Sequence, residues 1–120
     1  MHDLKFAVHV PVCLVPPVIL MPNRRLGQQI GRRETILNCL ITAFPQASNY
    51  WEKDGRRLAS SLKHRIEAYE EGDSTLTLSL RIHDLVRADY GEYRCVAANS
   101  LGRDEQVVQL LGTKFYSLFL

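Results

Sequence analysis

The clearest pattern in the chain is the run Thr75-Leu-Thr-Leu-Ser-Leu-Arg-Ile82, in which apolar and polar residues alternate without a break. Successive side chains of a strand point to opposite faces, so the run predicts a half-buried strand. Leu76, Leu78, Leu80 and Ile82 face the core, and Thr75, Thr77, Ser79 and Arg81 face outward. The same period recurs at Leu37, Cys39 and Ile41 within 36–41, and at Tyr93, Cys95 and Ala97, with Glu92, Arg94 and Val96 outward. Near the C-terminal end Val108 and Leu110 face in while Val107 and Gln109 face out. Shorter strands are predicted over 18–21 behind Pro16-Pro17, an edge position that tolerates proline, over 49–52 and over 62–69. Gly27-Gln-Gln-Ile-Gly31 suits a strand switching between sheets. Phe44-Pro45 marks a turn, Asp54-Gly55 a tight hairpin and Glu70-Glu-Gly-Asp73 a solvated turn, and Leu85 closes the core. Residues 59–63 are too short for a helix. The pattern is all-β, in two antiparallel sheets.

Length allows one domain. We assign it to residues 16–111, with 1–15 a tail or interdomain linker and 112–120 an apolar tail. A formal net charge of +2, with 15 basic against 13 acidic residues, supplies no field for nucleic acid. Residues 6–21 are mostly apolar, but His9, Pro11, Pro16 and Pro17 interrupt them, so they read neither as a leader peptide nor as a membrane span. Residues 115–120 are too short to cross a bilayer. A membrane role therefore calls for an anchor that these 120 residues do not carry.

Cys39, Trp51 and Cys95 follow one another in the order that frames an immunoglobulin sandwich. In that framework Cys39 and Cys95 form the inter-sheet disulfide, and the Trp51 indole packs against it. Tyr93, two residues before Cys95, holds the tyrosine-corner position, with its OH bonded to backbone upstream. Gly91 stands where a turn enters a strand and a residue without Cβ is needed. Cys13 is left unpaired, and two framework cysteines point to an oxidising, secreted compartment. Only 56 positions separate Cys39 from Cys95, too few for the two extra strands of a variable-type domain. An I-set sandwich fits.

A narrower resemblance rests on Pro16-Pro-Val-Ile, Leu37-Asn-Cys39, Tyr50-Trp51 and Asp89-Tyr-Gly-Glu-Tyr-Arg-Cys-Val-Ala-Ala-Asn-Ser-Leu-Gly102. Together they resemble the third, membrane-proximal immunoglobulin domain of the lachesin and Dpr-interacting-protein group, relatives of the IgLON proteins. That resemblance implies a neuronal adhesion molecule of three domains, tethered at the cell surface. Its partners would be other immunoglobulin proteins there and the neighbouring domains of its own chain. The alternative is an intracellular structural I-set domain of the muscle-scaffold kind, whose cysteines stay reduced.

No residue pattern points to catalysis, a cofactor or a metal. His2, His9, His64 and His83 lack metal-ligand spacing, and His83-Asp84 has no nucleophile to serve. Arg24-Arg25, Arg32-Arg33 and Arg56-Arg57 suggest a glycosaminoglycan or anionic-lipid patch, but interspersed acids make solvated strand ends, and for Arg56-Arg57 a turn, the better reading. Asp89 is expected to pair with a base beneath the sandwich, Arg65 being the candidate. No Asn stands two positions before Ser or Thr, so N-glycans leave both sheets free. The remaining candidate is a weak partner face of Tyr50, Glu52, Arg94, Val96, Val107 and Gln109, mixed in character and charged near its middle.

Overall fold

The computed structural model describes residues 13–113. Nine strands run in order: β1 Val15–Leu20, β2 Arg25–Gly27, β3 Glu34–Phe44, β4 Ser48–Lys53, β5 Arg56–Arg57, β6 His64–Glu70, β7 Thr75–His83, β8 Gly91–Asn99 and β9 Gly102–Leu111. They form two sheets, β1-β3-β7-β6 and β2-β9-β8-β4-β5. The expected all-β I-set sandwich is what the residues build, with one parallel pairing, β2 on β9, inside an otherwise antiparallel arrangement. Residues 1–12 and 114–120, including the apolar stretch 115–120 and both His2 and His9, lie outside the described residues.

The inward alternations meet as the core. Cys39, Ile41, Trp51, Leu80, Ile82 and Tyr93 are fully buried, with Leu78, Cys95 and Leu110 beside them. Cys39 on β3 and Cys95 on β8 are disulfide-bonded, Cα to Cα 6.6 Å, and so staple one sheet to the other. Trp51 lies directly opposite Cys95 in the β4–β8 register, which places the indole beside the bridge. Leu85 is buried and closes the end of the sandwich.

Several boundaries differ from the sequence pattern, each for a local reason. β1 begins at Val15, three residues early, because a register irregularity between Val15 and Val18 lets Pro16 and Pro17 pass without donating to the ladder. β6 begins at His64, not 62, because Ser61 and Lys63 bend the chain under the sandwich first. Arg56 and Arg57, read as part of a turn, form the short edge strand β5 on the far side of the Asp54-Gly55 turn. Both turn residues have positive φ, 48° and 85°, the backbone of a tight hairpin. Ser79 does point outward but is 5% exposed, because β7 runs inside its sheet between Asn38 and Glu67. Asn99 folds the β8–β9 turn, its amide donating to the carbonyls of Val15 and Pro45 and its oxygen accepting from the Leu101 N–H. In this chain the Asn-Ser-Leu-Gly motif ties the turn to the entry strand.

Candidate functional site

The candidate partner face lies on the outer side of the five-stranded sheet. Tyr50 stands opposite Val96, and Val96 opposite Glu105; Glu52 stands opposite Arg94, and Arg94 opposite Val107. The strands thus bring together all six residues picked from the sequence, with Gln109 opposite Glu92 at the lower edge. They do not leave them free. The Arg94 guanidinium lies 2.6 Å from Glu105 and 3.7 Å from both Glu52 and Glu92, so three carboxylates surround one cation. Arg103 adds a second contact to Glu105 at 2.9 Å, and that hydrogen bond holds the Glu105 carboxyl below its ordinary pKa. The Arg57 guanidinium sits over the Tyr50 ring, 4.5 Å from its centroid, in a cation–π stack.

Val96 is 1% exposed although it points away from the core. Tyr50 and Glu105 flank it on the neighbouring strands, and at this exposure it offers no apolar surface to a partner. Arg103 and Glu105 escaped the sequence reading, and Arg57 entered it only as half of the Arg56-Arg57 pair, not as a member of this face. For Glu105 and Arg103 a signal existed, since they share the parity of Val107 and Gln109 on one strand. For Arg57 none did, because a two-residue strand leaves no alternation to read.

A second polar cluster sits at the end of the sandwich, and here one expected pairing is corrected. Asp89 pairs with Lys63, whose Nζ lies 2.6 Å from its carboxylate, and not with Arg65. Arg65 points outward from β6, opposite Arg81, and lies 3.6 Å from Glu67. Only a residue just before the strand can turn beneath the core to reach Asp89. Lys63 also donates to the carbonyls of His83 and Asp84, and Asp89 accepts the Val86 N–H, so the pair closes three loops at once. Tyr93 forms the tyrosine corner, its OH donating to the Asp89 carbonyl at 2.6 Å, and burial raises its pKa. Gly91 has φ 142°, and a Cβ there would stand 3.0 Å from the Asp54 carboxylate. The hydrogen bond from Lys53 keeps that carboxyl below its ordinary pKa. Burial lowers the pKa of His64 nearby. Among the described residues no three His, Cys, Asp or Glu side chains gather as metal ligands would, and no helix is long and apolar enough to cross a membrane. Cys13 is an exposed free thiol.

Residues 17–111 match the family described as Immunoglobulin I-set domain. Lachesin of Schistocerca americana is 34% identical over 98 residues, 82% of this chain and 28% of that protein. The muscle M-line assembly protein unc-89 of Caenorhabditis elegans is 41% identical over 72 residues, 60% of this chain and 1% of that protein. A chain in the crystal structure of Dpr2 Ig1-Ig2 in complex with DIP-Theta Ig1-Ig3 superposes with a TM-score of 0.78 at 31% identity, covering 82% of this chain and 33% of that one. The titin domains z1z2, solved in complex with telethonin, give a TM-score of 0.71 at 28% identity, covering 83% of this chain and 48% of that one. The chain therefore spans under a third of the length of the lachesin it matches. With the family match, the bonded Cys39–Cys95 pair and the buried Trp51 and Tyr93 all in one sandwich, this chain belongs to the immunoglobulin I-set family.

Proposed function

We propose that this chain is a non-enzymatic recognition module of an extracellular adhesion protein, a membrane-proximal spacer beside other immunoglobulin domains. The observation that carries the reading is the lachesin identity over 82% of the chain, in a sandwich whose two framework cysteines are bonded and fully buried. A bridge of this kind persists in oxidising compartments and is rare in reducing ones. The share of its relatives that the chain spans, 28% of lachesin and 33% of the chain in the Dpr2 complex, is what one domain of three would occupy. On this reading the third domain spaces and orients, and the full-length protein meets other immunoglobulin proteins through its outer domains. The charge-neutralised face around Arg94 supports a spacer, because a strong interface needs an anchor side chain in a desolvated centre.

The likeness to unc-89 and titin favours a second reading, a structural domain of a muscle scaffold. The two differ in the redox state of the protein as it leaves its own cells. Alkylation before any reduction, followed by peptide mass mapping, is expected to recover Cys39 and Cys95 joined and Cys13 alkylated. Two alkylated framework thiols would overturn the extracellular reading in favour of the scaffold.

A further inference from the structure

The outer face of the four-stranded sheet is built differently from the face around Arg94. Leu20 on β1 lies opposite Leu40 on β3, Leu40 opposite Thr77 on β7, and Thr77 opposite Tyr69 on β6. One row of largely apolar side chains thus crosses all four strands. Val18 stands one pair away on β1 and Ile36 two pairs away on β3, opposite Arg81. Val18 is 49% exposed, Leu20 60%, Ile36 43% and Tyr69 47%, four of the nine exposed large apolar residues among the described residues. A hollow bordered by Leu20, Met21, Pro22, Leu40 and Glu71 deepens the β1 side of the row.

We propose that this face packs against the same face of a second copy of the chain, in a weak two-fold dimer in which equivalent strands of the two copies run the same way and facing strands run opposite ways. A two-fold axis lying along the strands, between β3 and β7, exchanges β1 with β6 and β3 with β7 while keeping every row in place. Leu20 of each copy then meets Tyr69 of the other, Leu40 meets Thr77, and Asn38 meets Ser79. In the end row Glu34 is opposite His83, so the rotation sets the Glu34 carboxylate of one copy over His83 and near Arg81 of the other. Within one chain Glu34 already lies 3.5 Å from Arg81, Arg65 lies 3.6 Å from Glu67, and Glu71 at the border accepts the Thr77 hydroxyl at 2.8 Å, so a lone carboxylate is all the charge left over to select a strongly charged partner. A face whose apolar row and charges both match themselves under rotation fits a copy of itself. Two twisted sheets stack this way at about 10 Å with a rotation of about 30°.

Four strands about 4.8 Å apart and five rows about 7 Å apart give on the order of 500 Å² per copy. Stable pairs bury about 800 Å² per partner, so the dissociation constant belongs on the order of 100 μM. Such a contact is filled only where copies are concentrated. The two-fold points the C-terminal ends of both copies the same way. The proposal does not rest on the compartment assigned above.

The test is sedimentation and amide NMR on the full chain carrying Cys13→Ser, so that no crosslink imitates a dimer, from about 10 μM to about 1 mM. The average mass is expected to rise with concentration, with shifts at Leu20, Leu40, Tyr69 and Thr77 and none at Arg94 or Glu105. Leu20→Glu is expected to weaken association at least tenfold, and Tyr69→Glu serves equally should the first variant melt early; Arg94→Glu should leave it unchanged. Glu34→Lys should weaken the dimer, and adding His83→Glu should restore it. A mass constant to about 1 mM, or an association that survives both Leu20→Glu and Tyr69→Glu, would overturn the proposal.

Discussion

Lys63 shows how much one side chain decides when it reaches a buried acid. Asp89 is 6% exposed, and a carboxylate so placed is costly unless its charge is met. Lys63 meets it at 2.6 Å and also takes two backbone carbonyls, whereas Arg65 touches only an exposed glutamate. Lys63→Met is therefore expected to lower stability by about 1–3 kcal/mol, the range for losing hydrogen bonds to charged groups. Arg65→Met is expected to cost less than about 1 kcal/mol, as for an exposed ion pair. Denaturant midpoints of the two variants decide it; equal losses would mean that Asp89 is satisfied some other way. The motif made it legible that Asp89 needs a base, because that acid, Gly91, Tyr93 and Cys95 stand at fixed offsets along one turn and strand. Which base was not legible. The answer depends on where β6 begins: a strand begun at 62 takes Lys63 into the sheet, whereas β6 begins at His64 and leaves Lys63 free to turn beneath the core.

At the scale of the element, β6 is an edge strand, and the loop before it guards half of that edge. The Ser61 hydroxyl accepts the N–H of His64, and the Ser60 hydroxyl accepts the N–H of Ile66, so two donors that would otherwise invite another strand are capped. The guard begins at His64, whose Nε2 is buried without a hydrogen-bond partner. Burial lowers its pKa first; Lys63 and Lys53 lower it further, and Asp89 opposes them. The imidazole thus binds its proton less readily in the folded chain than in the unfolded one. Its contribution to stability is fully present above the ordinary value of 6.5 and is lost as pH falls through that value toward the depressed folded one. Urea midpoints are expected to drop between about pH 7.5 and about pH 5.5, and to drop less in His64→Gln. A variant with the same slope as the parent would assign the pH dependence to another group. The strand itself was readable from its apolar positions, but the guard was not, since serines in a loop carry no periodicity.

At the scale of the whole molecule, the two outer faces differ in character, one carrying an ion-pair network and the other an apolar row. Alternation along single strands made much of the core legible from the sequence: Leu78, Leu80, Tyr93 and the two cysteines stand where period 2 puts them, while Trp51 and the pairing of the cysteines follow from the immunoglobulin framework. The surfaces were not, because a face belongs to several strands and its character depends on register between them. Val96 reads as exposed until Tyr50 and Glu105 are seen to flank it, and Arg94 reads as an anchor until three carboxylates are seen around it. A partner binding there must break those ion pairs or build on them, and with Val96 covered there is little apolar surface to offset the cost. The full chain immobilised against immunoglobulin ectodomains in surface plasmon resonance is accordingly expected to show no dissociation constant tighter than about 10 μM, a binding free energy of about 7 kcal/mol. Arg94→Glu is expected to leave the responses as they are. A sub-micromolar partner lost on Arg94→Glu would make this face the recognition site. The apolar row on the opposite sheet would then be secondary, because one tight contact around Arg94 would hold two molecules together without it.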